Sequence, residues 1–403
     1  MTKRFKFEDD LIGILRKNWV SIAFFVISMG AIVIRFFGFE YISTDYRVFL
    51  VKWIGYMRDN GNFLALATIE TDYYNPYMYF LALISHFPEE DWMGLVKIVS
   101  CVFDLACGNA ALKTVEKVSG KESRGIVAYA LAMFCPIFFA NSSIWAQCDS
   151  ITAFFLLMTL YFFIREKKNS SFWAMVFFGI ALSFKIQAIF LLPFLFLLYL
   201  YKKWNAVDFF ASFAALVIMN VPAWLTGQPL TRFIKVLSAQ TSQYEEPYMN
   251  APSVYALFFK QGNPEVTEQV KIYGILLLLA VYVLLALFVL ATKREISREG
   301  VLLLFLFCGL FAPFILPHMH ERYYYFGEIA AILYAAYRPR RWWILPLVFL
   351  PSCFTYVYYL YHTLLFEHKY LALLMLAAVV FIAKWLVENI WLSPPDENFK
   401  KSS

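Results

Sequence analysis

The chain has 403 residues, of which 61% are hydrophobic, 20% aromatic and only 16% charged. A soluble domain is closer to roughly 45–50% apolar and about 25% charged, so this composition excludes a soluble enzyme and indicates an integral membrane protein. The net charge of +6 comes from cations scattered between apolar runs; they are topology signals and predict no nucleic-acid partner.

Continuous apolar runs predict a helical bundle, because the strands of a porin-type barrel would alternate at every second residue. The run at 18–38 follows a basic segment and lacks a small-residue cleavage site, so we interpret it as a retained signal-anchor helix. Since about 20 residues cross the hydrocarbon core, the sequence predicts about twelve transmembrane helices in one domain, 1–403. The candidate spans are 18–38, 92–112, 124–140, 148–164, 172–185, 186–201, 206–224, 271–291, 300–316, 324–337, 342–361 and 370–391.

Basic residues recur in alternate loops between these spans. They are Lys113, Lys117, Lys121, Arg124, Arg165, Lys167, Lys168, Lys202, Lys203, Lys293, Arg294, Arg298, Arg338, Arg340, Arg341, Lys400 and Lys401. The positive-inside rule then predicts that both termini are cytoplasmic. It also predicts that two long segments, 39–91 and 225–270, form loops on the outer side.

The segment 41–79 is too long and too acidic for a plain connector. It contains two Asp-Tyr pairs, Asp45-Tyr46 and Asp72-Tyr73, and ends at an Asn75-Pro76 turn. Long, polar connections of this kind are typical of functional sites. We therefore predict a structured first outer loop that forms part of a site.

Other charged side chains within apolar surroundings, with two glutamines beside them, fall at the same predicted membrane face. A charged group costs roughly 2.5–3.5 kcal/mol on insertion scales, so each requires a reason. The set consists of Gln147, Asp149, Lys185, Gln187, His318, His320, Glu321 and Arg322. Their convergence on one face, deduced from the basic loops alone, predicts a polar site there.

Some of these residues also have a structural interpretation when they are taken singly. Asp149 could be a helix N-cap, Lys185 could extend to the membrane interface, and a histidine in an aromatic belt is often structural. Two short apolar runs meet at Lys185, which predicts a broken or re-entrant helix pair. Lys97 and Asp104 are seven residues apart, and we interpret them as a structural buried ion pair.

Carboxylates, cations and aromatic rings in one outward pocket suit a sugar attached to a phosphate. Arginine and lysine neutralise phosphate, and a loop carboxylate can act as general base toward an acceptor hydroxyl. The motifs STDY at 43–46, DYYNPYMYFLAL at 72–83, WAQCDS at 145–150, SFKIQAIFLLP at 183–193 and HMHERYYYF at 318–326 together resemble the GT-C superfamily of polytopic glycosyltransferases. Within it they look like bacterial proteins related to the mannosyltransferases of GPI-anchor assembly.

The resemblance implies an inverting transfer of a hexose from a polyprenyl-phosphate donor to a glycan or glycolipid acceptor. The site would be extracytoplasmic in a bacterial plasma membrane, with Asp45 as the catalytic base. The resemblance places four residues at the donor phosphate: Arg322, His320, Lys185 and Tyr323. It places seven residues at the sugar or acceptor: Asp72, Asn75, Asp149, Gln147, Gln187, His318 and Glu321.

Two questions stay open at the level of the sequence. Asp45 lacks an adjacent second acid, which disfavours a divalent-metal cofactor, because a lone carboxylate is a poor magnesium site. The alternative function is a transporter or flippase of lipid-linked sugars. A transporter should show paired repeats and polar residues at mid-membrane, and neither is clear in this sequence.

Overall fold

The computed structural model describes residues 5–236, 246–260 and 267–395. Within these ranges the chain is helical, with no β-strand and only isolated bridges such as that between Met249 and His320. The predicted all-α class is therefore confirmed. The cations Lys400 and Lys401 and part of the predicted loop 225–270 lie outside the described residues.

The helices differ greatly in length. The first group is α1 (Lys6–Lys17), α2 (Trp19–Phe36), α3 (Val51–Asp59), α4 (Asn75–Ile84), α5 (Glu89–Ser119), α6 (Glu122–Phe134), α7 (Pro136–Phe139) and α8 (Asp149–Arg165). The second group is α9 (Ser170–Phe184), α10 (Leu192–Leu200), α11 (Ala206–Leu225), α12 (Thr267–Thr292), α13 (Arg298–Ile315), α14 (Tyr325–Tyr337), α15 (Ile344–Tyr361) and α16 (His368–Leu392). Short 3₁₀ or π-helical turns join several of them, notably Tyr46–Leu50, Ala140–Ile144, Ile186–Leu191 and Glu321–Tyr324.

Seven helices in the described ranges are long and apolar enough to cross a membrane. They are Trp19–Phe36, Glu89–Ser119, Ala206–Leu225, Val270–Thr292, Arg298–Ile315, Ile344–Tyr361 and His368–Leu392. An eighth is obtained if Glu122–Phe134 and Pro136–Ile144, which meet at 47°, form one span. The chain is thus a multi-pass membrane protein with seven or eight candidate spans by length and composition, compared with the twelve predicted.

Four predicted spans are too short to count: 148–164 and 324–337 are helices of 17 and 13 residues, and 172–185 and 186–201 are separated by a break. Lys185 is extended (φ −148°, ψ 138°), so α9 stops at Phe184 and only a 3₁₀ turn leads into α10. Neither piece reaches the 20 or so residues that a span requires. The predicted break at Lys185 is confirmed, and a re-entrant course there stays a prediction. At the bent pair, Pro136 supplies the break, since the residue before a proline is held in an extended conformation.

Helices α13 and α14 form the buried centre of the bundle. Every residue of Glu299–Ile315 in α13 and of Tyr325–Ala336 in α14 is buried. Their backbones approach closely, because a Cβ atom added at Gly327 would lie 2.7 Å from the backbone of Gly309. Small residues at such crossings let membrane helices pack backbone to backbone. The turn that connects α13 to α14 carries Arg322, so this rigid pair positions the most unusual polar segment of the sequence.

The segment 39–91, predicted to be the first outer loop, has an apolar core of its own. Side chains such as Ile54, Met57, Leu66 and Met78 are fully buried together, and they pack on Trp92 at the start of α5. Burying side chains of this size stabilises a segment by roughly 1.5–3 kcal/mol each. The loop is consequently structured, as the sequence predicted, and it forms a helical cap that presents its first residues to the ends of the neighbouring helices.

The predicted ion pair between Lys97 and Asp104 is wrong. Asp104 instead binds Arg35 of α2, with 2.8 Å between Nε and Oδ2, and both side chains are almost fully buried. Lys97 donates to three carbonyl oxygens in the segment that follows α2, those of Gly38 (2.9 Å), Phe39 (3.0 Å) and Tyr41 (2.5 Å). The two side chains do share a helix face, but each finds its partner on the segment that leads into the first outer loop.

Asp104→Asn is expected to lower the stability of the protein by about 3–5 kcal/mol, because it leaves the charge of Arg35 buried without a counter-charge. The measurement is the thermal unfolding midpoint in detergent. Lys113→Gln on the same helix breaks only an exposed pair with Glu116 and should cost less than about 1 kcal/mol. Equal effects of the two substitutions would contradict the importance of the buried pair.

Candidate active site

The carboxylate of Asp45 is surrounded by hydrogen-bond donors from distant parts of the chain. Its Oδ2 accepts from Trp145 Nε1 at 2.9 Å, from Gln147 Nε2 and from Arg322 Nη1 at 3.2 Å. Its Oδ1 accepts from the Tyr359 hydroxyl at 2.6 Å. An ionised carboxylate only accepts hydrogen bonds and has about four acceptor positions. The donors therefore fix the orientation of Asp45 while leaving acceptor capacity on Oδ1.

An unusual backbone conformation at Ala146 brings two of these donors together. Ala146 has φ +64° and lies between Trp145 and Gln147. The left-handed region costs roughly 1–2 kcal/mol for a residue with a Cβ atom, and such strain is often found at functional sites. Both neighbouring side chains reach the same oxygen of Asp45.

Ser43 ties the start of the outer loop to the same segment. Its hydroxyl donates to the Trp145 carbonyl at 2.6 Å and accepts from the backbone N–H of Tyr46 at 3.2 Å. Asp45 lies between these two anchors, directly before the π-helical turn that begins at Tyr46. The serine of the STDY motif thus holds the backbone that carries the carboxylate.

Arg322 enters the site from the turn between α13 and α14. The segment 246–250 braces this turn: Met249 donates its N–H to the Met319 carbonyl at 2.9 Å, and His318 Nδ1 lies 2.7 Å from the Glu246 carbonyl oxygen. The guanidinium of Arg322 also lies 5.5 Å from the ring centroid of Trp145, within range of a cation–π contact. Its position is set by both the turn and the Asp45 cluster.

A buried ion pair lies next to this cluster. Lys185 Nζ is 2.6 Å from Asp149 Oδ1, and each side chain is less than a tenth exposed. Asn141 donates to the other oxygen of Asp149 at 2.9 Å. The extended backbone that interrupts the helix at Lys185 allows its side chain to reach the first residue of α8.

A cavity of about 200 Å³ opens beside Asp45. Its lining combines carboxylate, guanidinium, imidazole and amide groups with aromatic rings: Asp45, Phe49, Leu50, Trp53, Asp72, Tyr73, Tyr77, Trp145, Ala146, Gln147, Met249, His320, Arg322 and Tyr359. A second cavity of about 20 Å³ is bordered by Asp149, Lys185, Gln187, Arg322 and Tyr323 among others. Because Arg322 lines both, its guanidinium connects the carboxylate cluster with the ion pair.

The ionisable groups around Arg322 have shifted pKa values. Burial, and then the charges of Arg322 and Lys185, lower the pKa of His320 to about 3, so its imidazole is neutral at physiological pH. Burial raises the pKa of Asp72, although Arg322 opposes that shift. Burial also raises the pKa of Glu321 to about 8. At neutral pH, the cationic charge on the turn therefore resides on Arg322.

Glu321→Gln is expected to stabilise the protein relative to wild type, and by more near pH 9 than near pH 6. The folded-state pKa of Glu321 lies above the ordinary value of 4.5, so the folded protein binds this proton more tightly. Wild-type stability should fall as the pH rises from about 4.5 to about 8, and glutamine removes that dependence. The measurement is the thermal midpoint at both pH values. Glu90→Gln, an exposed control on α5, should leave the pH dependence unchanged.

Several predicted site residues do not line the larger cavity. Asn75 is buried and donates to Asn220 (2.9 Å) and Gln228 (2.7 Å), which holds the outer loop to α11 and its following turn. His318 contacts the 246–250 segment. Glu321 is fully buried, and neither of its carboxylate oxygens has a hydrogen-bond partner among the described residues. Their predicted roles in sugar or acceptor binding stay predictions.

Sequence reasoning expected aromatic rings in the pocket but did not single out Tyr359 or Trp53. Tyr359 comes from α15, stacks on Trp145 with 4.3 Å between ring centroids, and donates to Asp45. Trp53 and Tyr73, which also line the cavity, form an edge contact with 5.5 Å between ring centroids. The tyrosine-rich end of α15 was the available signal, but tyrosine is so common in this chain that the pattern alone could not single out one residue.

The sequence profile of Glycosyltransferase family 87 matches residues 73–317. The chain belongs to glycosyltransferase family 87. This family consists of GT-C polytopic glycosyltransferases and has mannosyltransferase-like members, which agrees with the predicted resemblance. No curated protein is significantly similar to the chain in sequence.

Family 87 membership makes the protein a membrane glycosyltransferase, so it acts on a sugar donor and an acceptor. The matched range contains Gln147, Asp149 and Lys185. Asp45 precedes this range and Arg322 follows it, and the fold brings these two residues into contact. Among the described residues, no three His, Cys, Asp or Glu side chains are grouped to hold a metal ion. Metal independence of the reaction stays a prediction.

Proposed function

We propose that this family 87 protein transfers a hexose from a polyprenyl-phosphate donor to an acceptor hydroxyl, with inversion and with Asp45 as general base. The observation that carries the proposal is the Asp45 carboxylate, held by four donors at the wall of a cavity rich in aromatic rings. The family supports glycosyl transfer over the transporter alternative.

The proposed base step uses the free acceptor position on Asp45 Oδ1. Oδ2 already receives three donors, whereas Oδ1 receives the Tyr359 hydroxyl alone. An acceptor hydroxyl bound at Oδ1 gives its proton to the carboxylate as its oxygen attacks the anomeric carbon. The bond from that carbon to the phosphate oxygen breaks, and polyprenyl phosphate leaves with the electron pair. A positioned base of this kind contributes about 10²–10⁴-fold in rate.

Arg322 is the proposed partner of the donor phosphate. It lines both cavities, and its planar donor fork suits phosphate oxygens. Negative charge grows on the departing phosphate, and a fixed cation stabilises it. Lys185 and Tyr323 border the smaller cavity and would support the same phosphate, with the charge of Lys185 held in place by Asp149. His320, as a neutral imidazole, would contribute a hydrogen bond rather than charge.

The aromatic rings of the larger cavity are the proposed contacts of the sugar. Binding pockets for small molecules combine apolar and aromatic walls with a few placed polar groups. Trp53, Tyr73 and Trp145 supply the rings, and Asp72 and Gln147 supply hydroxyl partners. Burial raises the pKa of Asp72, and Asp72 is proposed here as a hydrogen-bonding partner of the sugar.

The proposed orientation places both termini in the cytoplasm and the site on the outer face of a bacterial plasma membrane. Its support is the alternation of basic loops along the chain. The turn with Arg322 and the arginine-rich turn at 338–341 lie at opposite ends of α14, as that orientation requires. The acceptor would be a glycan or glycolipid of the cell envelope.

A donor assay tests this function. The purified protein in lipid vesicles should transfer labelled mannose from polyprenyl-phosphate mannose to lipid or glycan acceptors extracted from a strain that lacks the gene. The product linkage, determined by NMR, should have the opposite anomeric configuration to the donor. Use of a sugar nucleotide in place of the lipid donor, or retention of configuration, would contradict the proposal.

The same assay in excess chelator tests whether sugar transfer requires a divalent metal ion. A rate within about twofold of the untreated enzyme is expected if Arg322 and Lys185 alone neutralise a single phosphate. Loss of activity that magnesium or manganese restores would show that a divalent cation is required. A parallel assay with other polyprenyl-phosphate hexoses separates a wrong sugar from a wrong donor class.

A further inference from the structure

A strongly basic cavity lies at the far end of α14 from the candidate active site. It has a volume of about 620 Å³. Its lining consists of Arg124, Tyr337, Arg338, Pro339, Arg340 and Arg341. Four arginines thus surround one hollow that no acidic side chain lines. The established activity and the proposed catalytic steps use none of these residues.

The structure holds three of these guanidinium groups in place. Arg338 binds Glu299 through a two-pronged contact, with 2.9 Å between Nε and Oε1. Arg341 lies 4.4 Å from the ring centroid of Trp385, and Arg124 donates to the carbonyl of Tyr337 at 2.7 Å. Each arginine has five N–H donors, so every one retains donors after these contacts.

The positive charge of the cavity is only partly neutralised. Glu299 is the carboxylate in contact with this cluster among the described residues, and it serves both Arg338 and Arg341. Arg340 is exposed and forms no ion pair in the part of the chain that the structure describes. Topology alone requires cations on this side of the membrane, but it does not require them to be gathered around one cavity.

We propose that this cavity binds the phosphate headgroup of an anionic phospholipid. Arginine forks match phosphate oxygens in geometry and charge, and basic pockets between membrane helices recognise such headgroups. The aromatic residues beside the cavity place it at the bilayer surface. Trp342 and Trp343 follow Arg341 directly and are 62% and 37% exposed, which is typical of indole rings at the headgroup level.

The lipid site is separate from the catalytic site. Helix α14 has 13 residues, and at 1.5 Å per residue it separates the two by about 20 Å. The phosphate chemistry could also be offered by a soluble phosphate ester. We assign the lipid because the exposed tryptophans offer an apolar surface to the acyl chains of a phospholipid. A soluble ester has no acyl chains to use that surface.

Lipid retention tests this assignment. Full-length wild-type protein is reconstituted in nanodiscs of mixed phosphatidylcholine and phosphatidylglycerol, extracted in mild detergent, and its bound lipids are measured by mass spectrometry. Wild type should enrich phosphatidylglycerol several-fold over the bulk ratio, and the double variant Arg124→Gln/Arg340→Gln should return to the bulk ratio. Arg338 and Arg341 are left intact because they neutralise Glu299. Arg340→Gln alone, which breaks no ion pair, should lower the enrichment partially.

The matched control is Lys167→Gln/Lys168→Gln. It removes the same charge from a loop predicted to be on the same side, but outside the cavity, and should keep the wild-type enrichment. The proposal would be overturned if wild type showed no enrichment or if the control lost as much enrichment as the double variant. It would also be overturned if enrichment were unchanged in both Arg340→Gln and the folded double variant. A further outcome is that glycerol 3-phosphate at millimolar concentration displaces phosphatidylglycerol and occupies the cavity equally well in detergent. That result would assign the cavity to a soluble ester and overturn the assignment to a lipid.

Discussion

Asp45→Asn is expected to reduce sugar transfer by about 10²–10⁴-fold while the protein stays folded and inserted in the membrane. Asparagine has nearly the same shape, but its amide cannot take the proton of the acceptor hydroxyl. It also replaces one acceptor oxygen by a donor. If that donor faces Tyr359, the phenolic hydroxyl can rotate and accept instead, so the cluster should remain assembled.

The measurement is the initial rate with polyprenyl-phosphate mannose at saturating donor and acceptor, together with the thermal midpoint of the variant. Asp59→Asn is the control, because Asp59 is an exposed aspartate of the same outer loop and should leave the rate unchanged. Near wild-type transfer by Asp45→Asn would remove Asp45 from the role of base. Asp72→Asn would then be the next variant to measure, since Asp72 lines the same cavity.

Arg322→Gln is expected to lower kcat/KM for the lipid donor by about 10²–10³-fold, the range observed when one fixed group that stabilises transition-state charge is removed. Glutamine retains hydrogen-bonding capacity but not charge. Arg322→Lys should fall between wild type and glutamine, because lysine keeps the charge and loses the planar fork. The KM of the acceptor should change little, since Arg322 is proposed to bind the donor.

Separate titrations of donor and acceptor provide the measurement. Arg58→Gln is the control: Arg58 is partly exposed, pairs with Glu89 and lies far in sequence from the turn that carries Arg322. If Arg322→Gln impaired only acceptor use, the donor-phosphate assignment would be wrong. Because Arg322 also contacts Asp45, the double variant Asp45→Asn/Arg322→Gln should lose less than the product of the two single effects.

Much of the candidate site could be located from the sequence because charged residues are rare in apolar helices. Asp149, Lys185 and Arg322 each stood out for that reason, and the structure brings them to one place. The break at Lys185 was also predictable from the sequence, because two apolar runs meet there without room for a loop. Asn75 was singled out for its Asn-Pro turn; in the structure its side chain holds the loop to α11, and its role in sugar or acceptor binding stays a prediction.

The pairing of buried polar groups could not be predicted in the same manner. The seven-residue spacing of Lys97 and Asp104 placed them on one helix face, but Asp104 binds Arg35 and Lys97 binds backbone carbonyls. Spacing along one helix says nothing about which neighbouring segment lies against that face. Arg35, at the end of an apolar run, was indistinguishable from a residue that extends to the membrane surface.

The sequence by itself determined the class of the protein and the positions of most helices, because hydrophobic composition and periodicity act locally along the chain. It also identified the polar residues that are unusual in apolar segments. Tertiary structure alone decided which groups meet. The contact of Tyr359 with Asp45 joins residues 314 positions apart. The left-handed Ala146 lies between Trp145 and Gln147, whose side chains reach the same oxygen of Asp45. Hydrogen-bond partners depend on three-dimensional proximity, so the geometry around Asp45 emerges only when the outer loop, α13–α14 and α15 are assembled.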